Sequence, residues 1–205
     1  MNEFFLSGKH LKKGGIVVAD EIWLQQCAPT LAGIKTASLF GHPVSSMENA
    51  LAEVRSVDRR LSPKGVRAFL CCYRNGRALI YVYRPDSLRA DFADVEVRQM
   101  LQQFGYRPER EVSCLAELRR RISSGGEFPH EIGLFLGYPS ADVRGFIENH
   151  GEKAKLVGTW KVYSDPDRAE KTFARYKKCV SLYLAQHAKG RSLEQLTVAP
   201  RKNIR

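Results

Sequence analysis

The sequence predicts an α/β protein: a single domain on a mixed sheet of about five strands, with a central hairpin at 66–84 and helices on both faces. Three observations lead there. Apolar runs of strand length alternate with stretches of helical periodicity, the pattern of a sheet covered by helices. Asn75-Gly76 stands between two such runs and is the strongest two-residue hairpin signal. Both faces of those runs are apolar, as in a strand covered on two sides.

The elements follow in order. Residues 1–15 end in Lys12-Lys13-Gly14-Gly15 and are expected to form a flexible basic leader, with the domain over 16–188. A helix is expected over 17–27, anchored by Ile22 and Trp23 and ended by Pro29, since the residue before a proline avoids the helical region. A strand is expected near 36–40, closed by His42-Pro43. Ser45-x-x-Glu48 has the form of a capping box. It opens a helix with Met47, Ala50, Leu51, Val54, Val57 and Leu61 on one stripe, stopped by Pro63 and Gly65.

The hairpin pairs 66–73 with 78–84, and a two-residue turn sets Cys71 opposite Ile80 and Cys72 opposite Leu79. Pro85-Asp86 begins helical segments that run to Phe104, with Gly105 as terminator. A helix at 112–123 turns Leu115, Leu118 and Ile122 inward. The apolar run 130–137 reads as a buried strand, followed by a helix at 141–149 with Ser140 as its cap. A strand at 157–163 precedes a long helix from Asp165-Pro166 to Ala188. Residues 189–205 are expected to be a basic tail, with a further turn or two at 192–198.

The formal charge is +11, of which the two ends carry part: Lys9, Lys12 and Lys13 on one side, Arg201, Lys202 and Arg205 on the other. The remaining surplus still favours an acidic partner. Five cysteines, an odd number without a Cys-x-x-Cys pair, fit free thiols in a reducing compartment, and the cytoplasm is the expected location. The sequence has no apolar run of about 20 residues, so no membrane partner is expected. Arg119-Arg120-Arg121 forms a basic patch on a helix, but nothing supplies base readout and nucleic acid is not the expected partner.

The candidate chemistry lies elsewhere. Cys27 ends a helix before a proline turn, and Lys35 nearby would lower its pKa and make it a nucleophile or a ligand. A buried thiol is the ordinary alternative. In a strand, His130 and Glu131 point to opposite faces and so act separately. Glu131 then faces Gly133 and Gly137, with Lys161 or Lys35 as an ion-pair partner. Lys161, inside the apolar 157–163 run, calls for a carboxylate or an anionic ligand unless it sits on an exposed edge. No spacing of His and Cys matches a metal site, and no phosphate loop or hydrolase motif occurs.

His-Glu-Ile-Gly-Leu-Phe-Leu-Gly-Tyr-Pro at 130–139, with Trp160-Lys-Val-Tyr163 and the segment from Cys27 to Lys35, resembles an uncharacterised bacterial family of unknown function found mostly in anaerobic Clostridia-like Firmicutes. The resemblance covers about 18–184 and brings no catalytic residues. It implies a setting near flavodoxin-like and iron-related proteins: a flavodoxin-like redox partner, and haem or a flavin as cofactor.

Three readings follow. In the favoured one, a cytosolic domain binds a small anionic ligand or a redox or tetrapyrrole-type cofactor through Cys27, Lys35, His130, Glu131 and Lys161. In the second, the basic surface and tails bind an acidic protein or nucleic acid. In the third, Cys27 is the nucleophile of an enzyme. Whether the five candidates share one pocket is the question that the fold answers.

Overall fold

A computed structural model describes residues 15–200. The expected leader lies outside them, apart from the first residue of α1, and so do residues 201–205 of the expected tail. The protein is α/β, with five strands among the described residues. They lie in two sheets, and every pairing is antiparallel. The stretch expected to be one domain contributes to two compact units: Met1–Pro85 with Lys178–Arg205, and Asp86–Lys177.

The first unit holds α1 (Gly15–Leu31), β1 (Ala37–Pro43), α2 (Met47–Leu61), β2 (Arg67–Arg74) and β3 (Arg77–Tyr83). The strand order is β1-β3-β2, so β3 is central and the hairpin's other strand is an edge. Asn75 and Gly76 have φ of 51° and 71°, the backbone of a type I′ turn. Cys72 pairs with Leu79 as expected, whereas Cys71 does not pair with Ile80. Leu70 takes that position, and the register shifts between Leu70 and Cys72. Cys71 is the extra residue of a bulge, which a count from the turn does not reveal.

Apolar burial builds the core. Phe40, Ala68, Leu70, Ala78, Ile80 and Val82 meet Trp23, Leu24, Leu31, Ala50, Val54, Val57 and Leu61 from α1 and α2. On the other face of the sheet, Tyr81 stacks with Tyr83 at 5.3 Å and lies 5.3 Å from Phe69. Tyr81 is fully buried, so β3 is covered on both faces, as its unbroken apolar run requires.

Pro29 lies inside α1 instead of ending it. A proline forfeits one hydrogen bond to the preceding turn, and buried Ala28, Thr30 and Leu31 outweigh that loss. The cap of α2 is Ser46, one residue later than expected: its hydroxyl accepts from the Asn49 amide at 3.2 Å. At the other end of this unit, Ser192 caps α9 (Leu193–Leu196) in a capping box. Leu193 and Leu196 enter the core, and the Val198 amide donates to the Leu31 carbonyl at 3.0 Å. Packed chain therefore continues to Val198, beyond the boundary expected at 188.

Two arginines tie these pieces together. Arg84 is buried and donates from Nε to the Thr30 carbonyl (2.6 Å) and from Nη2 to the carbonyls of Leu31 (2.5 Å) and Val198 (2.7 Å). It thus caps the end of α1, where unpaired carbonyls and the helix dipole favour a cation. Arg60 on α2 forks onto Asp20 of α1 at 2.9 and 2.7 Å and also pairs with Glu194 of α9. The guanidinium holds Glu194 at about 2, well below the usual carboxylate range.

The second unit contains most of α3 (Pro85–Ala93), then α4 (Val95–Gln103), α5 (Glu111–Ser123), α6 (Ile132–Phe135) and α7 (Ser140–Glu148). It continues through β4 (Leu156–Val157) and β5 (Lys161–Val162) into the first turns of α8 (Pro166–Ala188). The strand expected at 130–137 is instead α6, a single helical turn. Gly137 (φ 72°) donates to Leu134, and Tyr138 donates to Gly133, which together close a Schellman end. A short apolar run cannot distinguish strand from buried helix, but glycine followed two residues later by proline is a helix-stop signal.

The single strand expected at 157–163 is a two-stranded ribbon that turns at Gly158, where Phe173 occupies the space of a side chain. Asp142, in the first turn of α7, holds the ribbon's exit. One oxygen accepts from the amides of Tyr163 (2.9 Å) and Ser164 (2.8 Å) and from the Ser164 hydroxyl (2.7 Å). The other accepts from Trp160 Nε1 at 2.8 Å.

Two outcomes are expected. Arg84→Met leaves the buried Thr30 and Leu31 carbonyls and the part-buried Val198 carbonyl without their donor and should lower stability by about 3 kcal/mol in urea denaturation; Arg84→Lys, which lacks the planar fork, should recover only part of that. Acid is the second test. Glu194 has a folded-state pKa below its unfolded value near 4.3, so its contribution is complete above that value and is lost as pH falls towards 2. Melting curves recorded from about pH 5 to 2 should therefore fall more steeply for the wild-type chain than for Arg60→Ala.

Candidate functional site

The five sequence-derived candidates divide between the units. Cys27 and Lys35 are in the first; His130, Glu131 and Lys161 are in the second.

Cys27 is fully buried, and its thiol donates to the Trp23 carbonyl one helical turn back, at 2.7 Å. Burial pushes the thiol's pKa well above its ordinary value, and the opposing pull of the Lys35 charge is the smaller effect. Lys35 is half-buried, and desolvation lowers its pKa to about 8. The two groups do sense each other, but the outcome is a protonated core thiol instead of an activated one. This corrects the expectation that Lys35 primes Cys27, because the desolvation of a buried thiolate outweighs one nearby ammonium.

Because 130–137 is not a strand, His130 and Glu131 are not partitioned across a sheet. They lie in the turn before α6. His130 is exposed, with Nε2 3.2 Å from Glu127 Oε1 and its ring centroid 5.2 Å from that of Phe146. Glu131 points inward and is 4% exposed. Its Oε1 accepts from the Tyr106 hydroxyl and from Arg121 Nη1, each at 2.9 Å. Lys161, one of the expected ion-pair partners, donates elsewhere. Burial, followed by the neighbouring Glu131 carboxylate, raises the Tyr106 phenol well above its usual range, so it remains a donor.

Lys161 also differs from expectation. Its ammonium donates to the Gly151 carbonyl at 3.0 Å and lies 5.9 Å from the centre of the Phe146 ring. A carbonyl and an aromatic face thus take the place of the expected carboxylate or ligand. Phe146 has His130 and Lys161 as neighbours, which brings these two candidates close to one another.

The second unit has one cleft that gathers several of these groups. It measures about 320 Å³ and is lined by Arg120, Arg121, Ser124, Glu127, His130 and Glu131 with Phe104, Phe128, Pro129 and Ile147. Cys27, Lys35 and Lys161 are not in its lining. Arg121 is fixed from every side: Nε to Glu117 (2.8 Å), Nη1 to Glu131, Nη2 to the Phe104 carbonyl (2.6 Å), and its guanidinium 4.4 Å from the centre of the Tyr106 ring. Arg120 also pairs with Glu117, through Nε and Nη2. Those two guanidinium groups hold Glu117 at about 2.

The cleft therefore combines apolar walls, two carboxylates (buried Glu131 and exposed Glu127), one rigid cation, one exposed cation and an imidazole. Such a surface can bind and orient a small polar molecule. The donor set does not fit a haem: Cys27 is inside the core of its unit, and His130 is paired with Glu127 at the surface. Among the described residues no group of three His, Cys, Asp or Glu side chains could hold a metal ion.

Sequence reading missed Arg121, Tyr106 and Glu117. Arg121 was legible only as one third of a basic patch. Its inward turn at 121 follows from the helical period that also buries Leu118 and Ile122. Tyr106, beyond Gly105, carried no signal at all.

A family model described as protein of unknown function (DUF3793) matches residues 23–197. No curated protein and no solved structure matches the chain.

Thiol reactivity checks the placement of Cys27. Iodoacetamide at neutral pH should label half-buried Cys72 well before Cys27. Labelling of Cys27 first in the folded chain would contradict its burial.

Proposed function

The chain belongs to the family of unknown function DUF3793, whose model spans residues 23–197, and on that footing we propose that it binds a small anionic ligand in the cleft of its second unit. The observation that carries the reading is the arrangement of Arg120, Arg121 and His130 around one apolar-walled cleft. Arg121 neutralises the buried Glu131 and shapes the base. Arg120 keeps Nη1 outside its pair with Glu117 and is exposed at the rim, as is His130. An anionic group bound there gains charge-assisted hydrogen bonds from a planar guanidinium. The apolar walls give the rest of the ligand area to cover.

The reading is of binding and not of covalent catalysis. Burial raises the thiols of Cys27, Cys72, Cys114 and Cys179 above their ordinary value, which leaves these four unactivated. The five free thiols support a reducing, cytoplasmic setting, consistent with an anaerobic bacterial source. No helix among the described residues is long and apolar enough to cross a membrane. Surplus positive charge on the chain would draw an anion towards the cleft.

The test is a titration of the full chain with inorganic phosphate and with 3-phenylpropionate, followed by chemical-shift changes. Saturable binding of at least one, with Kd below about 1 mM, is expected, and Arg120→Ala should weaken it about fivefold or more. Absence of saturable binding, or binding indifferent to Arg120→Ala, would sink the proposal.

A further inference from the structure

We infer that Glu127 is a tethered competitor for the anion in this cleft: its carboxylate holds the place beside His130 that the ligand's anionic group takes, and it withdraws when the ligand binds. This rests on the binding role proposed above and names the residue that regulates it. Glu127 and His130 both line the cleft, and Glu127 Oε1 lies 3.2 Å from His130 Nε2. A carboxylate only accepts hydrogen bonds, so the Nε2 that faces it carries a proton. That N–H is the donor an incoming anion would use. The imidazole also rests against Phe146, with 5.2 Å between the ring centroids, which keeps it at the cleft.

The pair separates easily. The side chains are 79% exposed at Glu127 and 43% at His130, and an ion pair so open to water contributes little. The chain reaches Glu127 through Gly125, with φ of 84°, and Gly126, where no atom lies within 4 Å of the place a side chain would take. Two other carboxylates of this region are engaged: Glu117 with Arg120 and Arg121, and buried Glu131 with Arg121 and Tyr106. Glu127 is the one that can move. An anion docking on His130 with Glu127 still in place would meet a like charge at contact range. A carboxylate on so short a tether competes at an effective concentration on the order of millimolar. Weak binding of a small anion falls in that same range, so the tethered group sets the apparent affinity of the cleft.

Titration of the full chain with inorganic phosphate and with 3-phenylpropionate tests the inference. Glu127→Gln keeps the shape of the side chain and removes its charge, and it should tighten binding of at least one probe by about fivefold. A gain that comes from competition for Nε2 needs the imidazole, so in a His130→Ala background the same substitution should make no more than about a twofold difference. The wild-type chain supplies a readout that needs no variant. The Nε2 resonance of His130 and the side-chain carboxyl resonance of Glu127 should move together as the probe saturates. Resonances that stay in place overturn the inference while the anion-binding role survives. Unchanged or weaker binding by Glu127→Gln has the same consequence, and so does a gain that persists in full without His130, since it then reports overall charge. Binding by neither the wild-type chain nor Glu127→Gln overturns both.

Discussion

In the first unit, the buried guanidinium of Arg84 is the interaction on which the rest leans. It gathers three main-chain carbonyls. Two belong to the last turn of α1 and one to the segment after α9. One side chain therefore fixes where the first helix stops and where the C-terminal segment docks. The cost of burying a cation is offset because the end of a helix presents aligned, otherwise unpaired acceptors. The Arg60 fork onto Asp20 and Glu194 joins three helices, α1, α2 and α9, at a more exposed position. With the apolar core between them, these two arginines explain why the residues after α8 are part of the fold.

The second unit uses buried carboxylates where the first uses an arginine. Burial by itself would raise the pKa of Asp142, yet donors from Tyr163, Ser164 and Trp160 hold it below the usual carboxylate range. With those donors the carboxylate joins α7 to the small ribbon. Glu131 is buried as well, and its Oε1 accepts from both the Tyr106 hydroxyl and Arg121.

Much of the fold was legible because it is written in local chemistry. Asn75-Gly76 set the hairpin, and Leu115, Leu118 and Ile122 marked the inner face of α5. Errors arose where one local pattern serves two structures. The 130–137 run is apolar enough for a strand, but Gly137 and Pro139 end it as a helical turn, and that change relocates His130 and Glu131. Gly158 split an expected strand because Phe173, 15 positions along the chain, fills the space where a side chain would lie. Of the five candidate residues, two line the cleft. The residues that orient them, Arg121 and Tyr106, gave little or no signal, because a partner 10 or 25 positions away leaves no mark on periodicity.

By itself, then, the sequence determined the α/β class, the hairpin, the helical faces and the family resemblance, since each depends on residues within a turn or a few turns of one another. Tertiary structure decided the pairing of charges: Glu131 with Arg121, Lys161 with a carbonyl, and Cys27 in the core beyond the reach of activation. The reason is physical. Patterning selects which residues leave water, but the partner that makes a buried charge tolerable is chosen by packing between distant segments, and only the assembled fold brings those segments into contact.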